Sequence, residues 1–354
     1  RYARLDTALE SLAGFAETHA TTEQLLGVAR RTTELREDLS RLVDPPTEHA
    51  LWVTRKRRSV VLGAAAISVG DTLRQRVFAR TGGVVLTSAT LTSVPVAGSD
   101  EVGATPFSFV RQRLGLDQPL GTTIDELEVG SPFAYDACTL LYVARDLPEP
   151  NSPAFNDAAI ERVTELVDVA GGGAFVLTTS VRALRAFGAA LARGTGREVL
   201  VQGEAPKNAL IARFRQHGDA VLVGTMTFWE GVDVAGHALR LVVIDKLPFA
   251  VPTDPVVSAR CAALEAAGLD PFAAYSVPAA AITLKQGVGR LIRTRQDRGI
   301  VAVLDRRLVT RGYGRRMLER LPMKTRTERL DEVRAWWDTH GPVSRRRSSS
   351  PPEG

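Results

Sequence analysis

The sequence predicts an α/β fold: a parallel sheet flanked by helices, preceded by a helical segment. Three observations predict it. From residue 139 to 304, short runs rich in Val, Ile and Leu alternate with stretches long enough for helices, the pattern of βαβ units. Residues 5–42 are polar, free of proline and carry leucines at helical spacings. The chain has 354 residues, 44% of them hydrophobic and 24% charged, enough to bury a large core without staples. A length prior of roughly 150 residues per domain gives about two domains.

The elements follow in order. Leu5, Leu9, Leu12, Leu25, Leu26, Leu35, Leu39 and Leu42 mark two or three amphipathic helices, which Asp44-Pro45-Pro46 ends. Arg55, Lys56, Arg57 and Arg58 form a basic loop. Val84-Val85-Leu86 reads as a buried strand opening into a polar loop, and the Gly-, Pro-, Ser- and Asp-rich residues 92–131 read as a crossing region. Strands are then predicted at 140–143, 174–177, 199–201, 220–223, 239–244 and 299–304. Helices are predicted at 156–169, 181–191, 207–215, 255–267, 270–285, 314–320 and 327–338. Residues 341–354 are a low-complexity polar tail.

Composition narrows the function. Two cysteines, Cys138 and Cys261, allow at most one disulfide and exclude a four-cysteine zinc or iron–sulfur site within this chain. The five histidines form no ligand-spaced pair, so no metal site is expected. No apolar run reaches about 18 residues, so no membrane helix is expected. Charges in RYARLDTALE replace the apolar stretch of a signal peptide, and the expected location is the cytoplasm. Residues 306–347 hold 13 Arg and Lys against five Asp and Glu, whereas the whole chain is only +5. The basic end could meet a polyanion.

Parallel sheets place their sites in loops at the carboxyl ends of strands, and four loops there carry unusual residues. Thr87-Ser88-Ala89-Thr90 and Thr178-Thr179-Ser180 present small hydroxyls that cap helices or bind phosphate. In the third, Glu230 and Asp233 frame Gly231, suited to a ribose or a cation, or to a plain turn. The fourth runs Gln286-Gly287-Val288-Gly289-Arg290-Leu291-Ile292-Arg293. In a helical turn Arg290 and Arg293 would face one way, with forks that suit phosphate oxygens; pairing with acids such as Asp297 is the alternative. Neither GxxxxGK[ST] nor GxGxxG occurs in the chain.

Taken in order, six blocks resemble the C-terminal part of a DinG-type ATP-dependent DNA helicase, of the XPD-like branch of superfamily 2. They are Thr87-Ser88-Ala89-Thr90-Leu91 (motif III), Ser131-Pro132-Phe133, Leu177-Thr178-Thr179-Ser180 (motif IV), Phe228-Trp229-Glu230-Gly231-Val232-Asp233 (motif V), Lys246-Leu247-Pro248-Phe249 with Pro252, and the Gln286–Arg293 block (motif VI). The resemblance spans about residues 60 to 320 and implies RecA-like domains that clamp ATP and Mg²⁺ while single-stranded or forked DNA runs across them. By position it makes Gln286, Arg290 and Arg293 catalytic, with both arginines as candidate fingers. It puts Glu230, Gly231 and Asp233 near the nucleotide, and Thr178, Thr179, Ser180 and Thr225 on the DNA backbone. Ser88 and Thr90 would couple hydrolysis to movement.

The resemblance divides the chain into an arch-like helical segment (1–58), the end of the first RecA-like domain with a crossing linker (59–130), the second RecA-like domain (131–325), and a terminal helix with a basic tail (326–354). The family's phosphate-binding Lys loop, DEAH box, Mg²⁺ ligands and any iron–sulfur cysteines would lie upstream, in an N-terminal half. The chain opens on Arg1, as a processed product or a fragment would, and without the phosphate-binding Lys and the Mg²⁺-holding acid it is expected to be inactive alone. A stand-alone module binding single strands or a protein partner is the alternative.

Overall fold

The computed structural model describes residues 2–45, 48–94, 105–117, 121, 123–229, 234 and 238–342. The chain divides into two compact units. Unit 1 comprises Arg1–Val84, Gln112–Thr122 and Val251–Pro271; unit 2 comprises Val85–Arg111, Thr123–Ala250 and Phe272–Gly354.

Unit 1 opens with the helices Tyr2–Thr18 and Glu23–Val43. Their buried residues are Ala13, Ala16, Ala29 and Thr32, not the leucine stripe: Leu5, Leu12, Leu26 and Leu35 stay exposed. Small side chains let the two backbones approach, and Arg36 locks the pair by a forked contact to Asp6 (2.9 and 3.3 Å). A hairpin that the sequence pattern did not announce follows, β1 (His49–Arg55) antiparallel to β2 (Val60–Ala66). Its turn carries the basic cluster, closed by Lys56 N–H to Ser59 O at 2.8 Å. Trp52 lies across Gly63, where a Cβ would stand 2.3 Å from the indole, so any larger residue would push the ring aside. The helix Pro255–Ala266, capped by Asp254, belongs to the same unit, and Arg260 donates to Ile67 O at 3.0 Å.

Unit 2 is a seven-stranded sheet in the order β5-β6-β4-β7-β8-β3-β9, with every pairing parallel. Its strands are β3 (Thr139–Val143), β4 (Ala174–Thr178), β5 (Val199–Val201), β6 (Val221–Thr225), β7 (Leu241–Ile244), β8 (Gly299–Val303) and β9 (Arg326–Thr327). Alternate residues point to opposite faces. Leu141, Phe175, Leu222, Val242 and Val301 enter one core with the helices Lys207–His217, Val277–Val288 and Gly312–Glu319. Leu140, Val176, Val221, Val243 and Ile300 enter the other with Phe155–Ala170, Val181–Gly194 and Leu330–His340. Burial on both faces is why these strands read as unbroken apolar runs.

Val84-Val85-Leu86 is not a strand. It carries no sheet assignment and Val85 is 90% exposed. An apolar run becomes a strand only beside a partner that completes its hydrogen bonds, and among the described residues none pairs with it.

Candidate functional site

The segments leading into the amino ends of β3, β8 and β9 enclose a cleft of about 1270 Å³, lined entirely from unit 2. Ser88 and Thr90 form one side, residues 128–137 a second, and Lys285, Gln286, Arg290 and Arg293 a third; Arg320 and Lys324 complete it. The sequence pointed to carboxyl ends, but motif VI enters from the amino side of β8. Five cationic side chains (Lys285, Arg290, Arg293, Arg320, Lys324) face three acids (Glu128, Asp136, Glu319), a balance that favours a polyanion.

Gln286 is on the last turn of Val277–Val288, but Arg290 and Arg293 are not helical. Gly289 ends the helix, tight turns follow (Arg290 N–H to Gly287 O, 3.1 Å), and Asp297 takes over the chain. This buried carboxylate accepts the Arg293 and Thr294 N–H groups at 2.8 Å each and the Thr294 hydroxyl at 2.9 Å. Asp297 thus shapes the loop that carries both arginines.

The Thr87–Thr90 segment is tied to that helix. Gln286 Nε2 donates to Thr90 Oγ1 at 3.2 Å, and Ser88 Oγ lies 3.3 Å from the same oxygen. One residue earlier, Lys285 Nζ donates to Thr92 Oγ1 at 2.8 Å, and the Thr92 hydroxyl donates to Glu128 at 3.1 Å. Ser93 Oγ donates to Pro278 O at 2.8 Å. Burial pulls the Lys285 pKa down, Glu128 works against that, and Arg320 adds to it.

The second set of predicted residues gathers at the carboxyl ends of β4 and β6, where Thr178 and Thr225 are in register. Thr178 is fully buried, and its hydroxyl is shared between Ser180 O and Gly224 O at 3.3 and 3.4 Å. Thr179 gives its N–H (3.0 Å) and its hydroxyl (3.3 Å) to Asp245. Ser180 caps the helix Val181–Gly194 by accepting from Ala183 N–H at 3.1 Å. Thr225 gives N–H and hydroxyl to Gln202 Oε1 at 2.7 and 3.0 Å. Thr179, Ser180 and Thr225 reach the surface; Thr178 holds them up from below. Glu230, Gly231 and Asp233 lie outside the described residues.

The known proteins that this chain resembles are helicases. The profile of the helicase C-terminal domain matches residues 163–324. The ATP-dependent DNA helicase YoaA of Escherichia coli K12 is 36% identical over 326 residues, 91% of this chain and 49% of that protein. The ATP-dependent helicase DinG of Mycobacterium tuberculosis H37Rv is 37% identical over 314 residues, 86% of this chain and 45% of that protein. Over most of its length the chain is similar to the C-terminal part of the DinG-type helicases. It spans about half the length of these curated relatives. A solved XPD helicase shares the fold, with a TM-score of 0.55 at 13% identity over 86% of this chain and 56% of that one.

Sequence reading missed four residues that shape the two sites and the Lys246–Phe249 block. Lys285 directly precedes motif VI and is one of only five lysines, a signal that was available. Gln202 and Asp245 support the carboxyl-end hydroxyls but lie 23 and 66 residues from their partners. Asp305 accepts Leu247 N–H at 2.9 Å and a forked contact from Arg307, fixing the Lys246–Phe249 block. Among the described residues no group of three or more His, Cys, Asp and Glu could hold a metal, and no helix is long and apolar enough to cross a membrane.

Proposed function

We propose that this chain is the C-terminal half of an ATP-dependent DNA helicase that couples ATP hydrolysis to translocation on single-stranded DNA and duplex unwinding. The observation that supports this reading is the gathering of Gln286, Arg290 and Arg293 with Ser88 and Thr90 around one cationic cleft, with Gln286 bonded to Thr90. The residues present fit a polyphosphate: two guanidiniums on a braced loop and a half-buried ammonium. Bound ATP with its Mg²⁺ supplies the driving reaction, transfer of the γ-phosphoryl group to water. Arg290 and Arg293 stabilise the charge that builds up on that group. By the resemblance of their block, Glu230, Gly231 and Asp233 are assigned to the nucleotide as well.

The Thr90–Gln286 contact gives this end a route to the Ser88–Thr90 segment. At the other edge of the sheet Thr179, Ser180 and Thr225 grip a DNA backbone by hydroxyl and N–H groups, which hold a strand without reading its bases. A first RecA-like domain supplies the phosphate-binding lysine and the Mg²⁺-holding acid, so the chain by itself has no measurable ATP turnover.

The test is Arg290→Ala in the full-length protein. DNA-stimulated ATPase should fall by about 10³-fold or more, while DNA affinity stays unchanged. An unaltered rate rejects the finger role, and turnover by the isolated chain that Arg290→Ala abolishes rejects the division of labour.

A further inference from the structure

The Ser131-Pro132-Phe133 block has no task in the reading above, yet it shapes a cavity. A chamber of about 300 Å³ opens beside the cationic cleft and shares Pro132, Phe133 and Ile292 with it. Ala137, Cys138 and Arg298 supply further walls. Ser131 Oγ accepts the Phe133 N–H at 3.2 Å, and Tyr135 meets the Phe133 ring edge-on (centroids 6.1 Å, 83°), so the ring is held in place. The pocket opens to the surface between Pro132, Ala134 and Ala137, and it is large enough for a fused aromatic ring.

Two of its polar neighbours are already committed, and the exposed Arg295 stands at its mouth. The Thr294 hydroxyl is given to Asp297 at 2.9 Å, and Arg298 donates to the carbonyls of Arg295 and Asp297 at 3.1 and 2.9 Å. Burial pushes the Cys138 thiol pKa up, so that side chain stays neutral. The walls therefore offer flat apolar contact and few free groups to read an edge pattern.

We propose that this chamber takes the base of the nucleotide whose phosphates face Arg290 and Arg293, with Phe133 as the wall the ring lies against. The proposal rests on reading the cleft as a nucleotide site. It makes the Ser131–Phe133 block a base-binding element of the second domain, tolerant of which purine it holds.

Titration calorimetry of the full-length protein with ATP and with inorganic tripolyphosphate tests it. Tripolyphosphate carries at least as much negative charge, so charge alone would make it bind as tightly as ATP. The chamber predicts that ATP binds at least about tenfold tighter, the effect of burying one aromatic ring. Phe133→Ala should remove that preference and leave tripolyphosphate binding as it was; Phe133→Leu, which keeps apolar volume, should retain part of it. Equal affinities in the unaltered protein overturn the proposal. So does a preference that survives in Phe133 variants whose melting temperature matches the parent. In either case tripolyphosphate binding that Arg290→Ala abolishes leaves the cleft reading standing. If the full-length protein binds neither ligand, both readings fall.

Discussion

Asp245 shows how one buried group can set the condition of a site. Its carboxylate is 1% exposed and accepts the N–H and hydroxyl of Thr179 and the Lys246 N–H (2.6 Å). Burial raises its pKa to about 6 from an ordinary 3.8, and the hydrogen bonds from Thr179 and Lys246 only partly offset that. The sign of the stability effect follows. Below pH 3.8 the group is protonated both folded and unfolded. Between 3.8 and about 6 the folded chain keeps a proton that the unfolded chain releases, so stability falls as pH rises through this window and levels off above it. The difference between the two ends is about 3 kcal/mol. The carboxyl carbon of Asp245 should titrate near pH 6 by NMR, and Asp245→Asn should flatten the stability profile between pH 4 and 6. A midpoint near 4 would mean that the N–H donors outweigh burial.

At the scale of elements, the joint between the helix Phe155–Ala170 and β4 depends on glycine. Gly171, Gly172 and Gly173 have φ of 68, 80 and 61°, a left-handed run that side chains resist. A Cβ at Gly172 would stand 2.0 Å from Asp219 O, a backbone atom that cannot swing aside. Arg240 ties the same turn by donating to the carbonyls of Gly171 and Gly218 at 2.8 and 2.9 Å. Gly172→Ala should therefore cost about 2 kcal/mol or more in chemical denaturation, from strain and a displaced backbone together. Gly218 also has a positive φ, but open space surrounds its Cβ position, so Gly218→Ala should be milder.

Elements of this kind were legible from residue 139 onward because each apolar run is buried on both faces and most of the gaps are long enough for a helix. The same rule misled at Val84-Val85-Leu86, where no ladder partner is present. It was silent about the β1–β2 hairpin, whose outward residues include Val53 and Val60. The site was half legible. Hydroxyls and arginines showed where chemistry gathers, because such residues cluster at loop ends. That Arg290 and Arg293 leave the helix depends on Asp297, whose two-residue grip on the backbone no spacing rule announces. The pairing of Asp245 with Thr179 is set by the parallel neighbours β4 and β7, a contact that exists only once the sheet forms.

Over the whole molecule, charge is separated along the sequence. Residues 306–347 carry a net excess of eight positive charges in a chain whose total is +5. Residues 306–342 are not a detachable tail, since Leu308, Met317, Leu318, Met323 and Val333 are buried in the two cores of unit 2. Deleting them would unfold the sheet and say nothing about binding. Their exposed arginines can be removed instead. Arg311, Arg315, Arg326 and Arg334 are all exposed, so replacing them with Gln should move the melting temperature little. If they meet a DNA strand, each phosphate that is no longer neutralised should reduce the slope of log affinity against log salt by about 0.7. The fourfold variant would then shift the slope by up to roughly 3 and weaken binding equally across sequences. An unchanged slope would place the DNA path wholly at the carboxyl-end hydroxyls and make these arginines a solvated face. The two outcomes separate a strand held by neutral donors from one drawn in by charge.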